Sequence, residues 1–274
     1  MGDKPQTPAP ARPASTVVIL RDGADGLEVF MVVRHHQIDF ASGALVFPGG
    51  KVDAEDADAA WAELAPRTPA APERSFYVAA ARETFEEAGL VLARRRDTSD
   101  IVDADTAHGL VETYRDALLK GETTFVDIIR REKLELAGDL MVPFAHWITP
   151  EPVPKRFDTH FVMISAPMVQ AGAHDGFESV EGVWITPQQA LRDATEGTRT
   201  LVFATRMNIE KLARYRSVAE AVEATRSRPV VTVMPKIVRA EGGRLMQIPE
   251  EADYGVSEVF VAEGSRLGAA AHKG

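Results

Sequence analysis

The chain has 274 residues, a length that fits one large domain or two small ones. Hydrophobic residues make up 45% and charged residues 26%, which is ordinary for a globular protein and excludes wholesale disorder or a coiled-coil rod. The 41 Asp and Glu outnumber the 31 Lys and Arg and give a net charge of −10. Because so acidic a surface repels phosphate backbones and anionic membranes, we expect no nucleic-acid partner and no membrane partner.

Cysteine is absent, which excludes disulfides and thiolate zinc sites and suits a reducing compartment. No run approaches the ~20 apolar residues of a membrane span. Residues 1–13 hold four prolines and no apolar stretch like that of a signal peptide. We therefore expect a cytoplasmic protein with a disordered tail at 1–14, a single domain at 15–262 and a flexible tail at 263–274.

The start of the chain predicts β-structure. Residues 15–20 and 27–33 are rich in β-branched and apolar residues and flank a turn with two glycines, so they predict a hairpin. A short strand at 44–47 runs into Pro48, Gly49 and Gly50. Glycine at these two positions permits tight backbone conformations and the close approach of a ligand.

A long insertion and a helix come next. Residues 53–72 are rich in Ala, Asp and Pro and predict an excursion from the core. A helix is predicted from residue 72 or 74 to Ala88, because Gly89 supplies the usual left-handed stop.

The rest of the chain alternates helical and β patterns. Helices are predicted in five segments: 105–119, 124–134, 187–194, 201–215 and 218–226. Strands are predicted in four: 146–149, 157–166, 180–185 and 230–238. No low-complexity linker divides the chain, which favours one α/β domain with a C-terminal helical extension from about residue 197.

The helix that ends at Ala88 gathers carboxylates on one face. At about 100° per residue, Glu86 lies about 60° to one side of Glu83 and Glu87 about 40° to the other. Apolar residues occupy the opposite side of the wheel: Val78, Ala81, Phe85 and Ala88. We therefore expect the apolar side to pack on the sheet and the carboxylates to point away from it.

Three glutamates on one face need an offsetting cation, because like charges three and four residues apart destabilise a helix by about 0.2–0.5 kcal/mol per pair. Oxygen ligands without Cys or His indicate Mg²⁺ or Mn²⁺ rather than zinc. The alternative is a solvated acidic helix face in an unrelated α/β domain.

This segment resembles the box of the Nudix hydrolase family, G-x5-E-x7-R-E-U-x-E-E-x-G-U, in which U is a bulky apolar residue. Thr84 stands at the first U position, and six residues match: Arg82, Glu83, Glu86, Glu87, Gly89 and Leu90. Gly50 lies 32 residues before Arg82, where the plain box has 14, which leaves 18 extra residues. Counted back from Arg82, the middle Glu of the box is replaced by Arg74.

The resemblance implies a Nudix-type α/β/α sandwich with a mixed β-sheet, an insertion in the box and a C-terminal helical extension. It implies hydrolysis of a nucleoside diphosphate linked to another group, with Mg²⁺ or Mn²⁺. The insertion is similar to that of a subgroup of coenzyme A diphosphatases, so coenzyme A or acyl-coenzyme A is the leading substrate. ADP-ribose, NADH and nucleotide sugars stay open, as does a Nudix-fold nucleotide-binding or regulatory module without turnover. The resemblance also allows a homodimer, because many relatives dimerise.

The resemblance also assigns roles to residues of the box. Glu83, Glu86, Glu87 and the backbone carbonyl of Gly49 are the implied metal ligands. Glu83 serves as general base or as ligand, and Arg82 orients a neighbouring carboxylate. A rival base is expected in the loop before the strand at 180–185, where two glutamates are available: Glu178 and Glu181.

Four cations are candidates for contact with a substrate phosphate: Arg34, Lys51, Lys155 and Arg156. The alternative for each is a solvated surface cation. Three histidines, His35, His36 and His160, are expected to be structural, because a hard-cation site does not need imidazole.

Overall fold

The computed structural model describes residues 8–33, 44–167, 170 and 182–264. The strands within these ranges are β1 (Arg12–Gly23), β2 (Gly26–Val33), β3 (Leu45–Val46), β4 (Gly49–Lys51), β5 (Ala93–Arg95), β6 (Leu134–Leu136), β7 (Val142–Ile148), β8 (Phe157–Ser165), β9 (Gly182–Ile185), β10 (Thr232–Val233), β11 (Lys236–Ala240), β12 (Gly243–Gln247) and β13 (Glu258–Ala262). The α-helices are α1 (Trp61–Leu64), α2 (Arg74–Ala88), α3 (Ala104–Leu119), α4 (Phe125–Arg131), α5 (Pro187–Glu196), α6 (Phe203–Leu212) and α7 (Val218–Arg226). Short 3₁₀ helices lie at Ala54–Ala57, Gly138–Leu140 and Glu250–Ala252.

A mixed sheet forms the centre of the molecule. Its strands run in the order β10-β7-β8-β1-β2-β3, and β4 and β9 add to β1 and β2. The long strand β1 pairs parallel with β8, where Thr16 lies opposite Phe161. It pairs antiparallel with β4, where Thr16 lies opposite Gly49. Strand β1 therefore carries the glycine turn on one side and β8 on the other.

Helices cover both faces of this sheet. Val17 and Ile19 belong to a core shared with α2, α3 and α4, whereas Val18 and Leu20 belong to a second core shared with α5, α6 and α7. Successive side chains of a strand point to opposite faces, and burial on both sides explains why β1 is a continuous apolar run. The α/β/α sandwich with a mixed sheet is confirmed.

Several predicted boundaries change in the structure. β1 begins at Arg12 and not at residue 15, so the predicted tail at 1–14 is wrong for its last three residues, which pair with β8. The predicted helix at 124–134 ends at Arg131, and Leu134 starts β6. The predicted strand at 230–238 is split into β10 and β11, which flank Pro235. Proline has no N–H to donate to a sheet, which explains the break.

The C-terminal extension is only partly helical. α6 and α7 begin it as expected, and α7 has the predicted bounds. A three-stranded antiparallel sheet of β11, β12 and β13 then follows. Within the described residues, no helix has both the length and the apolar character needed to cross a membrane.

The inserted segment is not a free excursion. Asp56, Trp61 and Leu64 are each at most 2% exposed. The Trp61 ring packs against Phe125 of α4 at a centroid distance of 5.8 Å, and its Nε1 donates to the carbonyl of Glu55. The expectation that residues 53–72 leave the core is therefore wrong at these positions, because an indole of this size buries itself between helices.

Candidate active site

The glycine turn brings the backbone of β4 against α2. Gly49 has a φ of 151°, and a Cβ there would collide with the backbone of Ser15 and Thr16. Its N–H donates to Glu87 Oε2 at 2.8 Å. A side chain at Gly50 would collide with the carboxylate of Glu83. Gly49 is thus required for β4 to lie against β1, and Gly50 leaves room for the Glu83 carboxylate of α2.

Helix α2 is more deeply buried than its amphipathic pattern predicts. Its predicted apolar residues are buried, and Gly89 ends the helix with a φ of 64°. Glu83 is also buried, at 7% exposure, because Gly50 leaves room for its carboxylate. The expectation that all three carboxylates point away from the sheet is wrong for Glu83 and Glu87, because the carboxylates of both lie against β4. Glu86 and Glu87 are half-buried.

Arg82 is the centre of the charge network. Its Nε and Nη2 donate to the two carboxylate oxygens of Asp56 at 3.0 and 2.9 Å. Its Nη1 donates to Glu83 Oε1 at 2.8 Å and reaches Glu86 Oε1 at 3.3 Å. Nη2 also donates to the carbonyl of Lys51. The guanidinium therefore fixes two carboxylates of α2, the 3₁₀ helix at Ala54–Ala57 and β4 relative to one another.

Burial and like charges set the electrostatics of the cluster. Burial is the main cause that raises the pKa of Glu83; Arg82 lowers this pKa, the charges of Glu86 and Glu87 raise it, and the net result is a pKa of about 8. Burial also raises the pKa of Glu86, again against the effect of Arg82. For Arg82, burial alone would lower the pKa, but Asp56, Glu83 and Glu86 raise it above its ordinary value. Asp53 lies 3.6 Å from Arg82 Nη2, so four acidic side chains share this one guanidinium.

The C-terminal end of α2 is tied to α3. Arg115 Nε donates to the backbone carbonyl of Glu86 at 2.6 Å. A cation is favourable here, because the last carbonyls of a helix carry partial negative charge. Sequence analysis missed Arg115, which lies 28 residues beyond Glu87 and in another helix.

Comparison with known protein families matches part of the chain. Residues 70–202 match the family model of the NUDT19 Nudix domain, a range that includes α2 and all three of its clustered glutamates. These residues, just under half of the chain, are similar to a Nudix hydrolase domain. The glycine turn precedes the matched range and meets the domain through Glu83 and Glu87.

Two relatives illustrate the similarity. The chain is 22% identical over 206 residues to acyl-coenzyme A diphosphatase NUDT19 of Xenopus laevis, covering 61% of this chain and 54% of that protein. The chain therefore spans about half the length of this curated relative. The crystal structure of a NUDIX hydrolase from Alicyclobacillus acidocaldarius is 24% identical, with a TM-score of 0.58, and covers 78% of this chain and 96% of that chain. This likeness shows that the two proteins share the Nudix fold.

Asp56 stands where the Nudix box has its middle carboxylate. It lies six residues after Gly50, as the box requires, with Asp in place of Glu. The extra residues fall between Asp56 and Arg82, and the structure closes the gap with two hydrogen bonds between these side chains. The box spacing counted back from Arg82 reaches Arg74, which has no carboxylate. The same spacing counted forward from Gly50 reaches Asp56, whose carboxylate is buried.

Three predicted substrate-binding residues lie within the described ranges. Lys51 is exposed, and strand alternation directs its side chain to the face opposite that of Gly50 and Glu83. Lys155 is exposed above the ring of Phe157. Arg156 donates to the carbonyls of Thr149 and Ala9. Within these ranges, no hydrogen bond or ion pair joins the side chains of these three cations to the carboxylates of α2, and their contact with a substrate phosphate stays a prediction.

The remaining predicted residues cannot be placed. Arg34, Glu178 and Glu181 lie outside the described residues. Whether a later loop supplies a general base therefore stays a prediction.

Proposed function

We propose that this Nudix domain hydrolyses the pyrophosphate linkage of a nucleoside diphosphate derivative with Mg²⁺ or Mn²⁺. The observation that carries the proposal is the convergence of Glu83, Glu86 and Glu87 at the end of α2 against the backbone of Gly49 and Gly50. An acidic protein repels a pyrophosphate unless cations reverse the local charge, and this cluster is where cations would gather.

The donor set fits a hard divalent cation. It consists of carboxylate oxygens, the ligands that Mg²⁺ and Mn²⁺ prefer. Glu83, Glu86 and Glu87 would hold the ions, and the Gly49 carbonyl is a further proposed ligand. When bound, such ions polarise the phosphate oxygens and favour ionisation of the attacking water.

The protein groups would position the reaction. If Glu83 serves as the base rather than as a ligand, a proton taken from the attacking water would go to its Oε2, because Arg82 donates to Oε1. Arg82 itself is buried at 6% exposure and would act through Glu83 and Glu86 as a positioning residue rather than by touching substrate. The Gly49 amide would hold Glu87 in place in the same way. These contacts form before substrate arrives, which is the arrangement that efficient charge stabilisation requires.

Coenzyme A or acyl-coenzyme A is the proposed substrate class. The support is the similarity of the chain to a protein named acyl-coenzyme A diphosphatase. Arg34, Lys51, Lys155 and Arg156 stay predictions for phosphate contacts.

The test is a product assay with a substrate panel. The purified chain is incubated with Mg²⁺ or Mn²⁺ and coenzyme A, acetyl-coenzyme A, ADP-ribose, NADH or a nucleotide sugar, and the products are identified by mass. We expect coenzyme A and its acyl ester to be split at the pyrophosphate. Binding of a panel member without cleavage of any would instead favour the regulatory module.

Matched variants connect the activity to the cluster. Glu86→Gln and Glu87→Gln keep side-chain size and remove one charge each, and each is expected to lower kcat/KM by about 100-fold or more. Glu223→Gln, at an exposed position of α7, is the control and should retain wild-type activity. Full activity in either cluster variant would contradict the metal-ligand assignment.

A further inference from the structure

A second group of metal-binding side chains lies on the central sheet, away from the Nudix carboxylates. His146 of β7 lies directly opposite His160 of β8. Asp158 is two residues before His160 on the same strand, so its side chain shares the face of the sheet. Within the described residues, these three side chains form the one group of three or more His, Asp or Glu whose ligand atoms all lie within 4.8 Å of one another. Sequence analysis treated His160 as structural because the predicted hard-cation site does not need imidazole.

The spacing of the three ligand atoms suits one small ion. His146 Nε2 lies 2.5 Å from Asp158 Oδ1, and His160 Nε2 lies 3.9 Å from the same oxygen. Tetrahedral bonds of about 2.0–2.1 Å place ligand atoms about 3.3 Å apart. The observed separations lie on either side of this value, so side-chain shifts of less than about 1 Å would complete the geometry.

The surroundings orient both imidazoles. His146 Nδ1 lies 2.8 Å from the hydroxyl of Thr232 in β10, the neighbouring strand. A ring that donates from Nδ1 to this hydroxyl presents an unprotonated Nε2 to a metal, as the second-shell partners of metal-bound histidines do. The ring of His160 stacks on Phe76 of α2 at a centroid distance of 3.8 Å. Both rings are therefore held with their Nε2 atoms towards Asp158.

We propose that His146, Asp158 and His160 bind a divalent transition-metal ion of the Zn²⁺ class. Two imidazoles and one carboxylate suit Zn²⁺ far better than Mg²⁺, which prefers oxygen alone. The three side chains are between 17% and 34% exposed, which gives an ion access and leaves a fourth position for water. A bound ion would link β7 and β8 in front of the N-terminal part of α2.

This site is separate from the proposed catalytic one. Gly50, which contacts Glu83, pairs with Ser15 of β1, and Ser15 pairs with His160 on its other side. Two strand spacings, about 10 Å, thus separate the two groups. Along α2, Glu86 lies ten residues beyond Phe76, or about 15 Å.

The experiment uses the full chain with Glu86→Gln and Glu87→Gln as background, so that the Nudix carboxylates do not contribute. Zn²⁺ alone is titrated into chelator-treated protein by calorimetry, and Co²⁺ absorption reports the coordination. His146→Asn, His160→Asn and Asp158→Asn are compared with His108→Asn. The control His108 also faces a carboxylate, Glu112 at 3.2 Å, but has no third ligand within the described residues.

We expect one Zn²⁺ per chain in the background protein and in the His108→Asn variant. Each cluster substitution should weaken binding by at least about 100-fold, and Thr232→Val by about 10-fold. Thermal unfolding without metal shows whether each variant folds. If a histidine variant does not fold, Asp158→Asn still tests the site. No Zn²⁺ binding in the background protein, or binding that survives both His160→Asn and Asp158→Asn, would overturn the proposal.

Discussion

Asp56→Ala is expected to destabilise the fold by about 3–5 kcal/mol, because it breaks a buried ion pair and leaves Arg82 without its main partner. Asp56 is 2% exposed and accepts two hydrogen bonds from Arg82. Hydrogen bonds to charged groups contribute about 1.5–3 kcal/mol each, so the two bonds together give about 3–6 kcal/mol, which overlaps this range. Since a domain is stable by only about 5–15 kcal/mol, this one change removes a large part of the total.

Urea unfolding followed by tryptophan fluorescence measures the loss. Trp61 is a suitable reporter, because it is buried and donates to Glu55, next to Asp56. The control is Asp58→Ala, which removes an exposed aspartate two residues further on. The control should shift the free energy of unfolding by less than about 1 kcal/mol.

A double-mutant cycle identifies the partner. Arg82→Met should cost at least as much as Asp56→Ala, because it also leaves Glu83 and Glu86 without their counter-charge. The double variant should cost less than the sum of the two single variants by at least about 1 kcal/mol. Additive losses, or an Asp56→Ala variant as stable as Asp58→Ala, would refute the coupling between the two side chains.

Three further predictions concern the glycine turn, the end of α2 and the second core. Gly50→Ala should displace the Glu83 carboxylate and lower kcat/KM by about 100-fold. An unfolding curve of the same variant shows whether it keeps its fold. Arg115→Ala should release the last turn of α2 and lower kcat/KM by about 10-fold, with Arg130→Ala, at an exposed position, as control. Burial raises the pKa of Tyr254, so its contribution to stability is present below pH 10.0 and is lost as pH rises above it. Tyr254→Phe should reduce the alkaline loss of stability in urea unfolding at pH 9 to 11, while the other tyrosines with raised pKa values keep their share, and an unchanged pH profile would contradict the prediction.

Local signals were sufficient for most elements. The pattern at 218–226 predicts α7 with its bounds, because Ser217 caps the helix and an apolar stripe faces the core. Gly89 predicts the end of α2 correctly because only a left-handed residue satisfies that terminus.

Non-local contacts account for the failures. A helical wheel places the glutamates of α2 on one face, but it cannot show that Gly50 makes room for Glu83 inside the fold. The sequence spacing of the box hides Asp56, because the insertion separates it from Arg82 and only the fold restores the pair. The cluster of His146, Asp158 and His160 depends on strand register, which no single segment encodes.

Binding of Mn²⁺, followed by electron paramagnetic resonance, tests the central claim most directly. The wild-type chain and the Glu223→Gln control should bind Mn²⁺ with equal affinity. The Glu86→Gln/Glu87→Gln variant, if it keeps its fold, should bind at least about 100-fold more weakly. Equal Mn²⁺ affinity in all three proteins would contradict the claim that the carboxylates of α2 gather the cations.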